Sequence, residues 1–194
     1  MANGVISRIK RNHGLEHATI HVLAERNKRF SAQGNSDHRG FHLNIFGDIP
    51  ESEVESAVSE AHRRLNAGEH HLAVHPNCGT VLVTTATLAT LAAQLVLALD
   101  QRGKENGRLS PASLLNSLPG ATIAVVVALI VGRPLGVQIQ ERYTVDGELG
   151  DLQVSSVRRV PPSLFTRLFQ LLLTGGSRQF PSTSYFVRTT GGDS

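Results

Sequence analysis

Apolar residues are distributed differently in the two parts of the chain. Up to about residue 79 they recur singly among polar and charged residues, and beyond it they gather in two long blocks. In "GLEHATIHVLAERNK", Leu15, Ile20, Leu23 and Ala24 recur with no proline after Gly14, which predicts a helix from Gly14 to about Lys28. It runs into Arg26, Lys28 and Arg29, charges that suit a helix C-terminus. Gly34, Asn35, Ser36, Asp37 and Gly40 then break the pattern. Phe41, Leu43 and Ile45 alternate with His42 and Asn44, so a hairpin with "FHLNIF" as its second strand is expected. A second helix is predicted from Glu51 to about Ala67. Its first turns carry Glu51, Glu53 and Glu55, and its apolar face is Val54, Ala57, Val58 and Ala61.

The two apolar blocks are Thr80 to Leu99 and Pro111 to Gly132, joined by a short polar loop. A helix needs about 20 apolar residues to cross a bilayer core, and both blocks reach that length. A transmembrane hairpin is therefore expected. The alternative is a pair of buried helices in a soluble bundle, which Thr84, Thr85, Thr87, Thr90 and Gln94 favour, while Asn116, Pro119 and Gly120 weaken the second span. Threonine hydroxyls can bond back to their own helix, however, and small residues suit membrane helix packing. In the tail, "VQIQERYTV" and "LQVSSVRRV" read as strands around the turn "DGELGD". Leu164, Phe165, Leu168, Phe169 and Leu172 would lie on one face of an amphipathic helix, either interfacial or in a core. The expected fold is α+β in three segments: a His-rich soluble domain at 1–79, a membrane hairpin at 80–132, and a β-rich tail at 133–194.

Composition narrows the function. Lys and Arg total 19 against 16 Asp and Glu, and the cations are scattered, so nucleic acid is not an expected partner. A single cysteine excludes a disulfide scaffold. All nine histidines lie between His13 and His75, and Cys78 follows three residues later. The N-terminus shows no signal-peptide pattern. That makes the cytoplasm the expected side for the soluble parts of a multi-pass protein of the inner (plasma) membrane. Arg102, Lys104 and Arg108 in the loop argue for the opposite orientation. Lipid is the expected partner, and a membrane-protein partner or a second copy of the chain is left open.

His13, His17 and His21 are spaced four apart, so they form a stripe on one helix face, and adjacent members could share a metal ion. "HGLEH" also fits H-x-x-E-H, the arrangement of inverted zincins, in which two histidines bind zinc and the glutamate is the base. Alone, this short match is no better than a chance run of surface or capping histidines. "HPNC" adds a second hook, because His75 and Cys78 straddle a Pro-Asn turn. His13, His17, His75 and Cys78 together make four ligands of the types zinc prefers. Glu16 is the candidate general base. His21 and His71 are candidates to support the ligands, and His38, His42, His62 and His70 read as surface or capping residues.

"HGLEH" followed by "HPNCGT" at the head of an apolar block resembles the YqhQ-like family, bacterial membrane proteins described as metal-dependent enzymes by inference. The likeness rests on His13, Gly14, Glu16, His17, His75, Pro76, Cys78, Gly79 and Thr80 and covers about the first half of the chain. With two candidate spans and its own tail, the chain is similar to a compact relative. The resemblance implies a metal more directly than a reaction. Two functions follow: a structural zinc in an assembly or interaction subunit, with catalysis unproven, or a zinc-dependent hydrolase at the membrane with Glu16 as base. Four ligands favour the first and Glu16 the second.

Overall fold

The structure is a computed structural model and describes residues 2–28, 30–102, 111–162 and 182–192. In chain order the elements are α1 (Ala2–Arg26), β1 (Ala32–Asp37), β2 (Gly40–Phe46), α2 (Glu51–Asn66), a 3-10 turn (His70–Ala73), α3 (Gly79–Arg102), α4 (Pro111–Ile139), a π turn (Gln140–Thr144), β3 (Gln153–Val160) and β4 (Ser182–Thr190). The fold is mixed α+β. The chain divides into two compact units: Met1–Val74 with Tyr143–Ser194, and His75–Arg142.

The first unit is built on a four-stranded antiparallel sheet of order β1-β2-β4-β3. Phe41, Leu43 and Ile45 of β2 and Tyr185 and Val187 of β4 are buried. With them lie Leu15, Val22 and Leu23 of α1 and Val54, Val58 and Leu65 of α2. Period-two burial on the strands meets the apolar stripes of the two helices, giving one core against one sheet face. The residues of "LQVSSVRRV" do form a strand. It pairs with β4, which pairs in turn with β2 of the front hairpin.

Two segments differ from the pattern reading. Helix α1 begins at Ala2, well before Gly14. Its early turns are held from far along the chain: Arg8 Nε donates to the Gly191 carbonyl at 2.6 Å and Asn12 to the Asp37 carbonyl at 2.8 Å. "VQIQERYTV" is helical at first, since α4 runs to Ile139 and continues as the π turn. Its alternation is too short to outweigh the long helix before it, and Gln140 is wholly buried. The amphipathic helix expected at 164–172 and the loop charges Lys104 and Arg108 lie outside the described residues.

The second unit contains α3 and α4; the stretch Gly79–Asp100 of α3, 22 residues, and the stretch Leu114–Thr144 of α4 with the π turn, 31 residues, are long and apolar enough to cross a membrane. Leu82, Val83, Ile123 and Ile130 are each about two-thirds exposed (66, 66, 66 and 68 %). The two helices pack closely where α4 has glycine. A Cβ on Gly136 would lie 2.8 Å from Val81 Cα, and one on Gly132 3.1 Å from Thr85 Cα. Thr84, Thr85 and Thr90 satisfy their hydroxyls on the carbonyls of Thr80, Val81 and Ala86. Those threonines therefore do not require a watery surrounding.

Candidate metal centre

Helix α1 turns Leu15, Ala18 and Val22 to the core and carries the histidine stripe beside them. His13 Nδ1 bonds the Thr144 carbonyl at 2.8 Å, and His17 Nδ1 bonds the Ala73 carbonyl at 2.7 Å. A carbonyl oxygen can only accept, so in both rings Nδ1 carries the proton and Nε2 presents its lone pair in the neutral form. This is how metal-binding histidines are commonly oriented, by a carbonyl on the ring nitrogen that does not face the metal. The two ring centroids are 4.4 Å apart with planes tilted by 59°. His21 bonds the next carbonyl, Val74, through Nε2 at 3.0 Å. The segment after α2 thus receives two histidines on successive carbonyls.

Gly14 explains its own place between His13 and Leu15. A Cβ there would lie 2.2 Å from the Asp146 carbonyl oxygen, so only glycine lets the segment after the π turn approach α1 and offer Thr144 to His13.

The "HPNC" turn is closed by Cys78 N–H donating to the His75 carbonyl at 3.2 Å. The Cys78 carbonyl in turn accepts from Leu82 in the first turn of α3. Cys78 therefore sits at the N-terminus of a long helix, where unpaired amides favour negative charge, the form in which sulfur binds a metal. It is buried. His75 has a different setting: Asn77 N–H donates to its Nδ1 at 3.3 Å, and its own N–H donates to Gln140 Oε1 at 2.7 Å.

His13, His17 and Cys78 are a group of residues that could hold a metal ion. Two imidazoles and one thiolate form a donor set suited to zinc. His75 is not in this group. The Glu16 carboxylate accepts from Ser36 Oγ at 2.6 Å and packs against Gly34 of β1, where a Cβ would overlap it. His71, in the 3-10 turn, is exposed. The carbonyls of Thr144, Ala73 and Val74 and the hydroxyl of Ser36 were not legible in the sequence, because a backbone acceptor has no residue signature.

An uncharacterised protein of the cyanobacterium Picosynechococcus sp. is 32% identical over 177 residues, which cover 82% of this chain and 78% of that protein. No solved structure matches the chain. Residues 8–157, which carry the histidine stripe, the Cys78 turn and both apolar helices, match a domain of unknown function, and the chain belongs to that DUF6391 family.

Proposed function

We propose that this is a multi-pass protein of the plasma membrane, embedded by α3 and α4, in which His13, His17 and Cys78 hold one zinc ion. The observation that carries the metal is the fixing of both histidine Nδ1 atoms on backbone carbonyls, which presents two Nε2 lone pairs from one helix face. The exposed apolar side chains of α3 and α4 support the membrane setting. The likeness of "HGLEH" and "HPNCGT" to the YqhQ-like pattern supports the same reading. The ion has a structural role, with His75 as fourth ligand and the soluble parts in the cytoplasm. The hydrogen bond from Ser36 to Glu16 supports that role, because it gives the carboxylate a packing function that needs no reaction.

A second reading is favoured by Glu16 beside His17 in "HGLEH", with His13, His17 and Cys78 as the only protein ligands, because catalytic zinc sites keep three protein ligands and an open position. The ion would supply Lewis acidity to a hydrolysis, and Glu16 would take the proton from the attacking water.

Metal analysis of detergent-purified protein tests the proposal. About one zinc per chain, lost in both His17→Ala and Cys78→Ser, is expected. Unchanged metal content in both variants would refute the site. Glu16→Gln separates the two readings. In the structural reading it keeps metal and biological function. A loss of function of about 10²–10⁴-fold with metal retained would make Glu16 a general base.

A further inference from the structure

The face of the sheet turned away from the helices carries an arrangement that the metal site does not use. On β3 and β4, Val157, Tyr185 and Val187 are buried toward the core, so Ser156, Arg158, Val160, Phe186 and Arg188 stand on the opposite face. These five line a depression of about 250 Å³. Arg158 lies directly across from Phe186, and Arg188 directly across from Ser156. The two arginines are therefore diagonal neighbours, a relation that spans about 7–8 Å in an antiparallel pair. Two guanidinium forks at that spacing can close on the oxygens of one phosphate. Phe186 is half-buried between strands, with the His42 ring on its other side at 4.7 Å between centroids. None of the lining residues among those described is acidic.

Edge protection accounts for part of this. Strand β3 is an edge strand, and exposed arginines there discourage pairing with another chain. It does not account for Arg188 and Phe186, which sit on the inner strand β4.

We propose that this depression binds a small phosphorylated ligand bearing a planar ring, of the size of a nucleoside monophosphate. Arg158 and Arg188 hold the phosphate, and Phe186 supplies the surface on which the ring packs. The volume suits a ligand below drug size. Both arginines are exposed and can be replaced without opening the core.

Equilibrium dialysis of the full chain in detergent, with AMP and with inorganic phosphate, tests this. Arg158→Gln and Arg188→Gln should each weaken both probes by about tenfold, the loss of one charge-assisted bond set. Phe186→Leu should weaken AMP by about tenfold while leaving phosphate within about twofold. Far-UV circular dichroism confirms that the variants remain folded. No AMP binding at millimolar concentration, or AMP affinity unchanged in the double arginine variant, would overturn the proposal. Equal affinity for AMP and phosphate, unaffected by Phe186→Leu, would overturn the ring contact. Zinc content is independent of all three variants, so failure here leaves the metal proposal standing.

Discussion

At the scale of single residues, the partner each ring meets decides what the histidines do. His13 and His17 each give one nitrogen to a carbonyl, whereas His42 faces out from β2 against Phe186. Burial pushes the His42 imidazole below its ordinary value; Asp37 pulls it up, and Arg39 pushes it further down. The sign follows from linkage. The unfolded chain takes up a proton near the ordinary imidazole range while folded His42 resists it, so its share of stability is intact above that range. That share falls as pH drops through it, and levels off below the depressed folded value. Chemical unfolding from pH 8 to pH 5 should therefore show a smaller loss of stability in His42→Gln than in the parent chain. An identical pH profile would contradict the assignment. The four-residue spacing of His13 and His17 and the H-x-x-C hook were legible in the sequence because helix geometry fixes them locally. Their carbonyl partners and the Ser36 contact of Glu16 were not, because those come from residues 20 to 131 positions away.

At the scale of elements, long periodic segments were the most legible. Strand β2 and helix α2 follow the residue pattern closely, and both apolar blocks became helices. Strand β4 was missed although "SYFVRTT" is rich in aromatic and β-branched residues, since without a neighbouring turn signal nothing marks its partner. Its place between β2 and β3 depends on pairings more than a hundred residues apart for β2. In the helical hairpin, Gly136 sets how closely α4 approaches α3. Gly136→Val adds branched bulk where even a Cβ meets backbone. Thermal unfolding in detergent should drop by several degrees, an overpacking cost of about 1–3 kcal/mol. Gly79→Ala, where a Cβ meets nothing within 4 Å, is the control and should change little. Equal behaviour of the two variants would contradict close packing at Gly136.

At the scale of the whole molecule, the family match ends at residue 157, yet the sheet needs β4 at Ser182–Thr190 to join β3 to β2. A chain ended at Val160 should lose the cooperative unfolding of the first unit, because removing β4 takes the partner of β3 and one of the two partners of β2 and exposes Phe41, Leu43 and Val157. Retention of a sharp transition would show that β4 is dispensable. With the exposed leucines, valines and isoleucines of α3 and α4, the full chain should be recovered in the membrane fraction and resist high-salt washing; release by salt alone would end the membrane reading. Zinc-edge X-ray absorption on the detergent-purified protein tests the metal centre most directly. One sulfur at about 2.3 Å and imidazole nitrogens at about 2.0–2.1 Å are expected, with the sulfur lost in Cys78→Ser. A bound zinc with only oxygen and nitrogen neighbours, or a sulfur that survives Cys78→Ser, would contradict the site of His13, His17 and Cys78.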